Sequence, residues 1–292
     1  MTAAGPGAGP SAAKSAEPID LLSLEPVGPG RYQVPMPAGS PEGAQVVFGG
    51  QLMAQMIMAA AASVGEAKYV KSMHTIFSRA GSYAEPIQVE VEPFHSGRTW
   101  ASDLVTAWQG DRLLTRSLVL LTSDEPDLIE HQIDPPAGAG GPEDGEPATG
   151  IVFPGAEART APLPSETADG VPVMCFWTRM PGPVGSLAAS QAILAWATNG
   201  WFIGLSMRPH RDTVRIEDAH RSLSTGVIGH TLHFHREFDA GSWILVSHEA
   251  TFAGKGRIHG RGAAHTQDGT LVATFSQDSM VKPGGAGPHS PL

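Results

Sequence analysis

Phe77-Ser78-Arg79 stands 157 positions ahead of Phe234-His235-Arg236, and Ser96-Gly97-Arg98 stands the same distance ahead of Ala253-Gly254-Lys255. Gln109 and Gln267 repeat the relation at 158. Self-similarity at a nearly constant offset marks a duplicated unit. Outward from these motifs each copy reads the same way. A short extended piece (31–36, then 173–179) precedes a helix rich in Ala (48–64, then 185–205). The first helix opens at Gly49-Gly50, and the second is broken near Asn199-Gly200. Four strands follow each helix, at 70–79, 86–94, 98–109 and 112–122, then at 226–238, 242–252, 256–266 and 270–281. Gly81-Ser82, Ser96-Gly97, Gly110-Asp111, Ala240-Gly241, Ala253-Gly254 and Asp268-Gly269 supply the hairpin turns.

An antiparallel meander has to cover its apolar face, and the one element available in each copy is the central helix. The expected class is therefore α+β: a tandem (double) hotdog, with antiparallel sheets each wrapped around a central helix. Continuing one sheet across both copies would protect the inner edges. The exposed outer sheet face favours a homo-oligomer. The expected organisation is a disordered tail at 1–18, an N-terminal hotdog at 19–134, a Pro/Gly-rich linker at 135–172, a C-terminal hotdog at 173–282 and a second disordered tail at 283–292. Within the linker the apolar run is short, Ile151 to Phe153.

The formal net charge of −10 argues against a non-specific grip on nucleic acid, and a polyanionic ligand would need a local basic patch. Arg79, Arg98, Arg236, Lys255 and Arg257 are candidates for one, each also readable as a solvated surface charge. Cys175 is the single cysteine, so no intramolecular disulfide and no cysteine pair for zinc exist, which fits a cytoplasmic setting. No run approaches the roughly 20 apolar residues of a membrane span. His230, His233 and His235 fall within six residues, but on a strand His230 faces away from the other two and no acid completes a ligand set. Neither a metal nor a cofactor is expected.

Three positions carry candidate chemistry. Leu271, Ala273, Phe275 and Gln277 alternate on one strand face, and a glutamine ending an apolar row needs hydrogen-bond partners unless the strand has emerged into solvent. Asn199 can orient a water through its amide oxygen but cannot take its proton, and Asn-Gly is equally a helix stop. Gly49, Gly50 and Gln51 open a helix whose free N–H groups suit a developing oxyanion, or simply allow close packing.

The set Val47-Phe48-Gly49-Gly50-Gln51, His74 to Gly81, Gly229-His230, Thr266 to Gly269 and Gln277-Asp278 resembles the TesB-like acyl-CoA thioesterases of type II. The resemblance covers 47–122 and 187–283. It implies a site in which an Asp late in the second helix, a Thr or Ser opening the next strand and a Gln on the last strand hold the hydrolytic water. Carried over, those positions fall on Asn199, Val227 and Gln277, and the family's Asp before the strand histidine falls on Gly229. Thr225 lies two residues before Val227 on the same strand face, displaced by about 6.6 Å, and a bulge or register shift would restore a hydroxyl. His230 is the candidate replacement base. The implied activity is hydrolysis of an acyl-CoA or related acyl thioester to a carboxylic acid and CoA. A hydratase-like reaction and a non-catalytic acyl-CoA binder stay open beside it.

Overall fold

The computed structural model describes residues 17–34, 36, 46–215, 217 and 222–284. The first half contains β1 (Glu25–Gly28), β2 (Arg31–Val34), α1 (Gly49–Val64), β3 (Tyr69–Phe77), β4 (Ile87–Ser96), β5 (Trp100–Gln109) and β6 (Arg112–Thr122). The second contains β7 (Glu157–Thr160), β8 (Val173–Arg179), α2 (Leu187–Thr198), α3 (Trp201–Met207), β9 (Leu223–Phe234), β10 (Ile244–Gly254), β11 (Arg257–Thr266) and β12 (Leu271–Pro283). Among the described residues no helix is long and apolar enough to cross a membrane.

All twelve strands join one antiparallel sheet in the order β1-β2-β4-β5-β6-β3-β9-β12-β11-β10-β8-β7. The order of β2-β4-β5-β6-β3 is mirrored by β8-β10-β11-β12-β9, so the fold is a double hotdog and the duplicated units meet along β3 and β9. There His74 faces Thr231, its equivalent 157 residues on, and His74 Nδ1 lies 2.6 Å from Thr231 Oγ1. A residue paired with its own equivalent lies on the local two-fold. Phe77 and Phe234 are equivalents about that axis.

Helix α1 is almost wholly buried: Leu52, Met53, Met56 and Ile57 are core residues and its alanines let the sheet close around it. Helices α1 and α2 pack on each other between the two halves of the sheet. Their approach is close at the start of α1. A Cβ on Gly50 would stand 2.4 Å from the Phe48 ring and 3.0 Å from the Trp196 carbonyl oxygen, so only glycine fits.

Segment 135–172 differs from the linker expected of its composition. Its strand β7 pairs with β8 at the sheet edge, and Arg159 Nη1 donates to the carbonyls of Pro142 and Gly145. Phe153 is buried and meets Trp196 edge-on at 5.2 Å. The prolines and glycines make turns that fold the segment back on the second unit, and the short apolar run anchors it. The expected tails fall largely on 1–16 and 285–292, outside the described residues. Of their inner ends, Pro18 opens a 3-10 turn and Pro283 pairs with Leu223 at the end of β12. If this docking matters to the fold, Phe153→Ala should lower stability by about 3–5 kcal/mol, the range for truncating a buried phenylalanine. Urea unfolding measures it, and a loss below about 1 kcal/mol would mean that the segment is a tether after all.

Candidate active site

Helix α2 starts with Ser186 capping the Ala189 N–H at 3.1 Å and stops at Asn199, whose extended backbone (φ −91°, ψ 137°) ends the helical path. Gly200 follows at φ 94°, in the left-handed region that a side chain strains to adopt, and α3 starts anew at Trp201. The break frees the Gly200 N–H, which donates to Gln277 Oε1 at 2.9 Å. Gln277 is buried, since β12 runs on to Pro283 rather than ending there. Its Nε2 donates to Ser279 Oγ at 2.8 Å.

His230 stands opposite Gln277 on β9, with Nδ1 3.3 Å from Gln277 Oε1 and Nε2 3.2 Å from Thr198 Oγ1. The tautomer follows from donor bookkeeping. Gly200 N–H can only donate, which orients the Gln277 oxygen toward it and toward His230. An acceptor oxygen at Nδ1 places the ring proton on Nδ1 and leaves the Nε2 lone pair facing the Thr198 hydroxyl. That hydroxyl also lies 3.0 Å from the Ala195 carbonyl, so its one proton is shared between two acceptors. Burial pushes the His230 pKa down to about 4, against a smaller upward pull from Gln277, so the ring is neutral at pH 7.

His248 on β10 lies in the same interior, ringed by Phe176, Phe202, Phe275 and Trp201 at centroid distances of 5.1–6.3 Å. Neither ring nitrogen makes a well-formed hydrogen bond, and the Thr198 backbone is the weak partner nearby. Burial first and the charge of His230 second depress its pKa to about 3.

Asn199 closes the group from the helix side. Its Nδ2 reaches Met53 Sδ at 3.5 Å, while Oδ1 is buried with no hydrogen-bond partner. That oxygen points at the start of α1: a Cβ on Gly49 would come within 3.3 Å of it. The first N–H groups of α1 have no partner within the helix. Gln51 turns elsewhere, accepting from Tyr83 Oη at 3.4 Å and lying 3.9 Å from Met36 Sδ.

Asn199, His230 and Gln277 are all buried around the break between α2 and α3: Gly200, next to Asn199, bonds Gln277, Gln277 contacts His230, and Asn199 Oδ1 lies near the start of α1. Thr225 does not join it: the residue pairs with Val281, and between it and His230 the β9–β12 register shifts by a bulge. Thr225 instead lines a neighbouring cavity with Gly200 and Trp201. The bulge sets Val227 opposite Ser279. Two hydroxyls outside the sequence-derived set lie beside these residues: Ser279, opposite Val227, accepts from Gln277, and Thr198 meets the His230 ring. The basic candidates do not converge: Arg236 is held by Asp127 and Glu130 at 3.0 and 2.7 Å, and Arg79 by the Leu113 carbonyl. Among the described residues no group of three or more His, Cys, Asp or Glu is arranged to hold a metal.

The buried histidines fix a sign for pH dependence. Their folded pKa values lie below the unfolded value near 6.5, so the unfolded chain takes up protons first as pH falls. Their contribution is complete above about pH 6.5 and is lost on the way down toward 4, by up to ~1.4 kcal/mol per pH unit for each histidine. His248→Phe keeps the aromatic packing and removes one such group. Its melting temperature should fall less between pH 7 and 5 than that of the parent chain. Parallel slopes for the two proteins would contradict the assignment.

With this geometry in view, the chain matches the acyl-CoA thioesterase N-terminal domain over residues 36–122 and the acyl-CoA thioesterase C-terminal domain over 132–281, the latter taking in segment 135–172. It is 28% identical to human acyl-coenzyme A thioesterase 8, across 90% of this chain and 88% of that protein. It is 26% identical to acyl-CoA thioesterase 2 of Haemophilus influenzae, across 82% and 89%. Among solved structures, the acyl-CoA thioesterase II TesB2 of Mycobacterium marinum superposes with a TM-score of 0.75 at 24% identity, over 92% of this chain and 99% of that one, which supports the fold. The two domain matches span most of the sequence, and the chain belongs to the acyl-CoA thioesterase family.

Proposed function

We propose that this chain hydrolyses an acyl-CoA to a carboxylic acid and CoA at the junction of Asn199, Gln277 and His230 with the start of α1. The observation that carries the proposal is the Asn199 amide oxygen: buried, without a partner, and close to the start of α1 at Gly49. A buried acceptor left unpaired is costly, and a water or substrate atom that donates to it would satisfy it.

In this reading Asn199 Oδ1 accepts a hydrogen bond from the attacking water. The N–H groups of Gly49 and Gly50 stabilise the oxyanion as the water oxygen bonds to the thioester carbon. The water proton passes to the Thr198 hydroxyl while the hydroxyl's own proton moves to His230 Nε2. Gln277 and Gly200 hold the ring in the tautomer that can receive it. Collapse of the tetrahedral intermediate breaks the C–S bond, and the thiolate leaves as CoA with the returned proton. A neutral imidazole with pKa about 4 is a weaker base than one tuned to neutrality, so turnover is slow. The non-catalytic alternative has one observation in its favour: Gln277 already contacts Gly200, His230 and Ser279 and has little left for a ligand. We also propose self-association through the outer sheet face, where Ile76, Leu118 and Leu120 are exposed; sedimentation velocity checks this, and a monomer at all concentrations refutes it.

Two substitutions test the mechanism by release of free thiol from acyl-CoA. Thr198→Val should lower kcat by about tenfold or more with KM little changed, and Thr198→Ser should restore it, because only the hydroxyl carries the relay. Loss in both variants, or in neither, removes Thr198 from the mechanism. Asn199→Asp should raise kcat, by at most the ~10²–10⁴-fold of a positioned base, since the α1 N-terminus favours an anion there. Peptide mass analysis first has to show that the parent chain has not deamidated at Asn199-Gly200. A folded Asn199→Asp protein that binds acyl-CoA yet gains nothing would favour the binding role.

A further inference from the structure

Beside Gly200 the described residues line a half-open pocket of about 820 Å³. Its wall is apolar, with Ile151 from segment 135–172, Met174 from β8 and Trp201 from α3. Its lining also includes Arg208, Arg211 and Arg215, and among the described residues none of the three is in an ion pair. Asp212 and Glu217 line it too, so the local charge is only slightly positive. Recognition there would depend on geometry rather than on bulk field: a guanidinium offers a fork of donors matched to phosphate oxygens.

In a chain of net charge −10, this is a concentration of arginines, without ion pairs among the described residues, next to the candidate site. The separation is also suitable. Gly200, whose N–H anchors Gln277, and Arg208 stand eight residues apart along the chain, or about 12 Å at helical rise, which is within the reach of an extended pantetheine arm. We propose that this cavity receives the nucleotide end of CoA. Arg208, Arg211 and Arg215 hold its phosphates, and the pantetheine runs along α3 toward Asn199. The position of the thioester end rests on the hydrolase reading given above. The arginine-lined phosphate site does not.

The test uses the full chain and a double variant, Arg211→Ala with Arg215→Ala, beside the conservative pair Arg211→Lys with Arg215→Lys. Calorimetry with CoA and with pantetheine reads binding directly. Loss of charge-assisted hydrogen bonds to phosphate should weaken CoA binding by about tenfold or more in the alanine pair. The lysine pair should fall between, and pantetheine should bind all three proteins alike. In turnover, KM for acyl-CoA should rise with kcat held, while hydrolysis of the matching acyl-N-acetylcysteamine thioester is unchanged. Equal CoA affinity in all three proteins overturns the site, and so does an equal loss for CoA and pantetheine. If the parent chain binds CoA through these arginines but cleaves neither thioester, the hydrolase reading fails and the phosphate site stands. If it cleaves acyl-CoA with a KM that the alanine pair does not move, the site fails and the hydrolase reading stands.

Discussion

The pairing of β3 with β9 is the contact on which the remainder depends. It joins the two units into one sheet with His74 against its own equivalent, Thr231, and so sets the local two-fold. Under that symmetry the two helices run past one another, and the start of α1 comes to the end of α2. Glycine at positions 49 and 50 is what lets them meet, because the spaces beside those backbones are filled by Phe77, Phe48, the Trp196 carbonyl and Asn199. The helix ends brought together are of opposite polarity, with free N–H groups facing a chain break. A polar centre can be built there without disturbing the apolar interior of either unit.

Symmetry in the backbone is not matched by symmetry in the chemistry. His230 pairs with Gln277 across β9 and β12, whereas Met73 pairs with Val119 at the corresponding place between β3 and β6. The first unit thus fills with apolar side chains what the second fills with a hydrogen-bonded group. Keeping Asn199, His230, His248 and Gln277 nearly free of solvent works against stability, since Asn199 Oδ1 and both His248 nitrogens lack good partners. Strain of this kind is expected where a site, rather than a core, is being maintained. With no carboxylate at Asn199, the proposed reaction needs another proton acceptor, and His230, whose Nε2 lies 3.2 Å from the Thr198 hydroxyl, is the one that it assigns.

The duplicated unit was legible because motif spacing survives divergence: the offset of 157 reappears as the residue pairing at the two-fold. The helix break at Asn199-Gly200 and the burial of Gln277 also followed from local pattern, turn chemistry in one case and strand alternation in the other. Composition did not show that 135–172 docks on the second unit, because prolines and glycines suit a docked connection as well as a free one, and one buried phenylalanine is what fastens it. Thr225 looked adjacent to the site through strand period alone, but the bulge beside Val227 is a register event that no single sequence displays. Thr198 and Ser279 were missed because a hydroxyl at a helix end or in a strand carries no signal of its own. For Thr198 the clue was its place immediately before Asn199.

The proposed reaction rests on a neutral His230, held by Gln277 with its proton on Nδ1, that presents a free Nε2 lone pair to Thr198 in place of a carboxylate. Nitrogen-15 NMR of the histidine rings, with His230 assigned by its loss in a substituted chain, reads this state directly. The ring should be neutral at pH 7, protonated on Nδ1 and bare at Nε2, and should stay neutral as the pH is lowered to 5. An imidazolium already present at pH 6, or a ring with its proton on Nε2, would contradict it.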